Sequence, residues 1–268
     1  MYLSTLLINV GDNPDRPRPG RLWLRNLYHV HQRLCMAFPS ASRKTADPDF
    51  LQPFNPDDFR QKPVPVARSM DNGFLFRVDP QLGGRAVILV QSAGKPDWDY
   101  AFHNADYLLR ASQVREYEPQ FRTGEALRFR LLANPVRKVS AKSLDVEGKP
   151  FEKRWIGKDV PVPPTELPHW LERRAEPGWS AQKNATDEQN PPGFRLIEIL
   201  PPQAGYVYWS KSGKESIGQR LRSVRYDGVL EVSNPDHLQK TLARGIGPGK
   251  AFGCGLLSVA PRTQEAAP

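Results

Sequence analysis

A chain of 268 residues, 39% hydrophobic and 25% charged, has the composition of an average soluble protein and room for two ordinary domains. Lys and Arg outnumber Asp and Glu by 38 to 29, and the formal charge of +9 favours polyanionic partners without bearing on fold. Two widely separated cysteines, Cys35 and Cys254, exclude a disulfide framework, and there is neither a signal-peptide pattern nor an apolar run of membrane-spanning length. The expectation is a protein of the reducing cytoplasm with no membrane span.

In chain order, "YLSTLLINV" alternates and then runs apolar, as a strand does, and "GDNPDRPRPG" is a loop. From Arg21 to Phe38 the apolar positions Leu24, Leu27, Tyr28, Leu34, Cys35 and Phe38 recur at helical spacing, and Pro39 and Ser40 stop the helix. Residues 39–68 are polar and proline-rich, an irregular insertion. "GFLFRVDP" and "RAVILVQSAG" predict two strands joined by a glycine turn, and "HNADYLLRASQVREY" is ambiguous between strand and helix.

A second unit begins near Arg122. "ALRFRLLANPV" predicts a strand with an exposed basic face, and the stretch from "KVSAKSL" to "KDVPVPP" a basic loop. "TELPHWLERRAE" predicts a helix with Thr165 as N-cap. A disordered-looking "SAQKNATDEQNPPG" precedes the strands "FRLIEIL", "GYVYWSK" and "IGQRLRSVRYDGVLEVS". A short helix "PDHLQKTLARG" follows, and "AFGCGLLSVA" closes the fold as a strand. The order strand, helix, strand, strand, helix, strand thus occurs twice. That is the ferredoxin-like pattern, an α+β fold of antiparallel sheets with helices on one face, over residues 1–118 and 122–262.

"RGIGPGKAFGCGLLSV" invites a nucleotide-binding reading, and its spacing refuses it. Gly249-Lys250 is followed by Ala251 where a P-loop needs Ser or Thr. Arg244 stands where that loop's first Gly belongs, and a dinucleotide fingerprint on Gly245 and Gly247 meets Lys250 at its third Gly. No cofactor is expected. Two readings stay open: a tight helix-to-strand turn, or a backbone concavity in which Gly247 and Gly249 approach a polyanion beside Arg244 and Lys250, the second being preferred.

Residues 122–158 hold ten Lys/Arg against four Asp/Glu, and residues 205–260 eight against four. Lys211 and Lys214 fall at a hairpin tip, Arg220 and Arg222 on its returning strand, and Arg173 and Arg174 on the "HWLERR" helix. Such a set suits the phosphates of an RNA duplex. The competing reading of each charge is a solvated face.

Together "LYHVHQRLCMAF", "ILVQS" with "KPDW", "LRFRLLANPV", "HWLERR" and "GIGPGKAFGCGLLSVAP" resemble, nearly end to end, the CasE family, the CRISPR repeat endoribonuclease subunit of Cascade. The resemblance implies tandem ferredoxin-like (RRM-like) domains that bind repeat hairpin RNA and other Cascade subunits. It implies cleavage at the 3′ base of the stem without metal or cofactor, by a protein that is monomeric alone. The family's Tyr-x-x-His pattern falls on Tyr28 and His31, leaving His29 off it. A basic residue expected a few positions beyond the histidine is missing, Met36 standing there, so Arg33, Arg43 and Lys44 are candidate replacements. From its residues alone His31 is an ordinary helix residue; the resemblance makes it the general acid or base. A subunit that binds RNA without cutting, and a basic structural subunit that contacts only protein, are the alternatives.

Overall fold

The computed structural model describes residues 1–11, 19–59, 73–145, 147–175, 193–210 and 218–262. In β1 (Tyr2–Asn9) Ser4, Leu6 and Ile8 point into the interior and their neighbours are less buried, the period-two pattern of a strand with one face on a core. The first half continues through α1 (Pro19–Leu24), α2 (Leu27–Cys35), α3 (Ala41–Ala46), β2 (Phe74–Gln81), β3 (Arg85–Ser92), α4 (Trp98–Phe102) and β4 (Gln113–Glu116). Its antiparallel sheet runs β2-β3-β1-β4. Val30 and Leu34 of α2 and Trp98 and Ala101 of α4 bury against Leu6, Ile8, Phe76 and Ile88.

The second half comprises β5 (Ala126–Ala133), β6 (Val136–Lys138), β7 (Asp159–Pro161), α5 (Leu167–Ala175), β8 (Phe194–Ile199), β9 (Gln203–Trp209), β10 (Gln219–Val232), α6 (Pro235–Arg244) and β11 (Leu257–Pro261). Its sheet runs β11-β5-β10-β8, again fourth, first, third, second, so the ferredoxin-like order occurs twice. The 14 residues of β10 outrun that sheet, and their first half pairs with β9 as a separate hairpin arm.

The two halves meet along β2. Its Phe74 and Phe76 join the helix-side core, while Leu75 and Arg77 face the second half. The Arg77 guanidinium, only 5% exposed, donates to Ser258 Oγ (2.9 Å) and to the carbonyls of Leu256 (3.3 Å) and Arg130 (3.4 Å). Gln91 of β3 donates to the Leu242 carbonyl at 2.7 Å.

Several elements differ from the expectation. The helix expected over Arg21–Phe38 is two, broken at Arg25 and Asn26 because the Asn26 side chain caps the second one; the regular helix ends at Cys35. Thr165 does not cap α5, because Pro163 and Pro164 start a 3-10 turn that runs directly into it. The basic loop contains the β6–β7 ladder. "KPDW" opens α4, where the Asp97 carboxylate accepts from Tyr100 N at 3.0 Å. The insertion carries α3, and its later part, 60–68, lies outside the described residues, as does the disordered-looking stretch over 180–192. The strand expected from Ala251 begins only at Leu257, after a 3-10 turn over Lys250–Phe252. No helix among the described residues is long and apolar enough to cross a membrane.

Candidate functional site

Asn26 holds an extended backbone (φ −120°, ψ 95°), and its Oδ1 accepts from Tyr28 N at 3.1 Å, starting α2. The same oxygen accepts from Ser210 N (3.2 Å), and Nδ2 donates to the Ser210 carbonyl (2.9 Å) and hydroxyl (3.1 Å). Ser210 follows β9 at the end of the arm farthest from the main sheet, so one amide fastens that outer end to the first turn of α2. Tyr28 sits half-buried at this junction, its ring 6.5 Å from that of Trp209, which stacks on Phe252 at 4.8 Å. Helix start, the outer end of the hairpin arm and the glycine block converge on Tyr28.

His31 lies one turn on and is 3% exposed. Its ring is 5.2 Å from Phe74 and 6.3 Å from Phe76, and its Nε2 is 3.7 Å from Cys35 Sγ. The pair Tyr28 and His31 is therefore not displayed on one open surface: the tyrosine is at the junction and the imidazole is covered by β2. His29 is half-buried beside Tyr28.

The candidate cations in place of Met36 are all engaged elsewhere. Arg33 donates to the Ala101 carbonyl (2.9 Å) and Asn104 Oδ1 (3.1 Å), and burial pulls its pKa below the usual guanidinium value. Arg43 is clamped between Asp47 and Asp58, each at 2.8 Å. Lys44 pairs with Asp97. Met36 itself is buried at 8% exposure.

The expected RNA-binding residues all belong to the second half. Arg220 is exposed with its guanidinium 4.7 Å from the Tyr206 ring. Arg222 donates to the Val162 carbonyl at 3.1 Å. Arg173 and Arg174 close α5, where Arg174 lies 5.0 Å over Trp170, and burial together with the Arg173 charge lowers its pKa to about 10. Arg244 is exposed at the end of α6, and Lys250 opens the 3-10 turn. Lys211 and Lys214 lie outside the described residues.

In the glycine block the close approach is to the chain itself. Gly245 has φ +71°, and a Cβ there would stand 2.7 Å from the Gly255 carbonyl and 2.8 Å from Leu75. At Gly247 it would meet Trp170 at 3.1 Å, and at Gly249 Leu221 at 2.8 Å. These contacts give Gly245, Gly247 and Gly249 a packing reason, so the tight-turn reading extends beyond Gly245 alone. Asn26, Arg77 and Ser210 were missed; only Asn26 carried a signal, a capping residue directly before "LYHVHQRL".

Against known proteins, a family profile described as CRISPR associated protein matches residues 1–261. The chain belongs to this CRISPR-associated protein family. It is 34% identical over 276 residues to CRISPR-associated endoribonuclease Cse3 of Thermus thermophilus, a match covering 97% of this chain and 100% of that one. It is 28% identical to the CRISPR system Cascade subunit CasE of Escherichia coli, with coverage of 97% and 100%. Among solved structures, Cse3 bound to a 19 nt RNA superposes on this family member with a TM-score of 0.63 at 30% identity, covering 97% of this chain and 100% of that one. Thermus thermophilus Cse3 with an RNA representing a pre-cleavage complex gives 0.58 at 30%, covering 97% and 98%.

Proposed function

We propose that this chain is a CRISPR repeat endoribonuclease that grips the hairpin of the repeat RNA, cuts at the 3′ base of its stem without a metal, and stays on the product as a Cascade subunit. The observation that carries this reading is the end-to-end similarity to Cse3, a protein whose solved structures hold RNA. The junction at Tyr28 supports it, because the first turn of α2 meets the arm at Ser210, the residue directly before Lys211 in the sequence. The working units are residues 1–118, with the reacting helix, and 122–262, with the grip on the stem. Two buried cysteines, Cys35 and Cys254, neither of them in a disulfide, suit a cytoplasmic setting.

In the reaction the ribose 2′-oxygen bonds to phosphorus as the bond from phosphorus to the 5′-oxygen breaks, leaving a 2′,3′-cyclic phosphate and a 5′-hydroxyl. Tyr28 hydrogen-bonds the 2′-hydroxyl or a nonbridging oxygen. His31 takes the proton from the 2′-hydroxyl or gives one to the leaving oxygen. Its ring is covered by Phe74 and Phe76, so this role requires the contact between α2 and β2 to open as RNA seats. Arg173, Arg174, Arg220, Arg222, Arg244, Lys250 and the backbone at Gly247 and Gly249 contact phosphates.

A second reading, an RNA-holding subunit that does not cut, is favoured by one set of observations: Met36 is apolar and Arg33, Arg43 and Lys44 are all engaged away from Tyr28. Incubation of the protein with its repeat hairpin RNA in EDTA, beside His31→Ala, with a matched binding measurement, separates the two. Cutting to a cyclic-phosphate end that is lost in a variant still able to bind supports the endoribonuclease. Tight binding without cutting by the wild type supports the holding subunit. Cutting that survives His31→Ala removes His31 from the mechanism.

A further inference from the structure

A cleft of about 500 Å³ opens between the two halves, beside the Asn26–Ser210 clasp. Its volume lies in the range of roughly 300–1,000 Å³ common to small-ligand sites. The apolar wall is made by Leu27 of α2, Val78 of β2, Leu132 of β5 and Phe252. Neither Tyr28 nor His31 lines it, although Leu27 directly precedes Tyr28.

Three observations indicate what the cleft takes. Tyr206 and Tyr208, two residues apart on β9 and therefore on one face of it, line the cleft while 50% and 56% exposed. Two large aromatic side chains left half in water beside an apolar hollow, with Arg220 covering one face of the Tyr206 ring, are a stacking platform. Among the described lining residues the charge has one sign: Arg25 lines the cleft and is exposed, Arg220 lies over Tyr206, and no carboxylate is present. Aromatic faces with cations at the edge are the chemistry that holds a single-stranded base and its phosphate. A paired base cannot enter such a site, since its faces and edges are occupied within the stem.

We propose that this cleft is a subsite for an unpaired nucleotide flanking the hairpin stem, its base against Tyr206 and Tyr208 and its phosphate toward Arg25. The assignment rests on the RNA-binding reading above and deepens it. With Leu27 in the wall, a nucleotide seated there is one residue from Tyr28, so the subsite would hold the strand in register as it leaves the stem beside the reacting phosphate.

The test compares two RNAs on the full-length protein: the repeat hairpin trimmed to its stem-loop, and the same hairpin with its unpaired flanks. In the flanked RNA 2-aminopurine replaces one flanking base at a time, and its fluorescence falls when it stacks. Wild type is expected to quench one flanking position and to bind the flanked RNA about tenfold more tightly than the stem-loop, the effect of roughly 1–3 kcal/mol for one stacked base. Tyr208→Ala should abolish the quench and most of that advantage while binding the stem-loop as wild type does. Arg25→Ala should reduce the advantage and its dependence on salt. Flanks that add no affinity, or no quench at any position while the hairpin is bound, would overturn the subsite and leave the cleft to a protein side chain. Equal weakening of both RNAs by Tyr208→Ala would also overturn it. Failure of wild type to bind even the stem-loop would bring down the RNA-binding reading itself, which is a distinct result.

Discussion

Asn26 gives the sharpest perturbation, because one side chain does two separable things. Its Oδ1 caps α2 through Tyr28 N, and both ends of the amide make three bonds to Ser210 across the boundary between the halves. Loss of a cap costs about 1 kcal/mol. Each lost bond to Ser210 costs about 0.5–1.5 kcal/mol, toward the low end here because the groups are only partly buried and water can replace some of them. Asn26→Ala should therefore lose about 2–3 kcal/mol, and Asn26→Ser, which keeps the cap but is too short for the clasp, about 1–2 kcal/mol. The assay is the urea midpoint at unchanged slope, read together with the single-turnover cleavage rate and the affinity for hairpin RNA. The Ser variant should slow cleavage more than it weakens binding, since the cations proposed to grip the stem are untouched and the placement of Tyr28 against the outer end of the arm is not. A Ser variant as stable as wild type would refute the clasp. A Ser variant whose rate is unchanged would refute its role in placing Tyr28.

Two further perturbations test what joins and supports the site. Arg77→Leu should destabilise by about 2–4 kcal/mol, because it removes charged donors and strands the Leu256 and Arg130 carbonyls at the boundary; a denaturant midpoint within 0.5 kcal/mol of wild type, about the scatter of ordinary surface substitutions, would refute this. For Asp47, burial alone would raise the carboxyl pKa, but the amides of Leu51 and Gln52 and the Arg43 guanidinium outweigh it and hold it below the ordinary value. A depressed folded-state pKa gives stability that is full above the unfolded carboxylate range, near pH 4, and is lost as pH falls through the folded value. Asp47→Asn should accordingly lose less stability than wild type between pH 7 and pH 3 in matched urea titrations, and parallel curves would refute the reasoning.

Strand and helix order was legible because each core element carries its own period, and the doubled ferredoxin-like order followed from it. The break within the first helical stretch was not, since Leu24, Leu27 and Tyr28 keep helical spacing across Asn26 and only the cap chemistry marks the interruption. At the site, the burial of His31 was readable in part: Leu27, Val30, His31 and Leu34 are spaced as one apolar stripe, and all four are buried. The engagement of Arg43 was not readable, because one of its partners, Asp58, lies fifteen residues away and reaches it only through the folded insertion. The boundary contacts of Arg77 with Leu256 and of Gln91 with Leu242 join residues more than 150 apart, beyond any local pattern.

Those contacts have a consequence for how the chain is made. β2 is an edge strand of the first sheet, complete early in synthesis, yet the face bearing Leu75 and Arg77 is covered only once residues near Gly245, Leu256 and Ser258 have emerged from the ribosome. Until then that face of an edge strand stands open to other nascent chains, the situation in which exposed surface associates wrongly and aggregates. Arg77, ion-paired with Asp79 at 2.9 Å on the same strand, puts charge on that waiting face. The residue that later bonds the two halves together thus serves first as a guard, discouraging a foreign strand from docking where its own second half belongs.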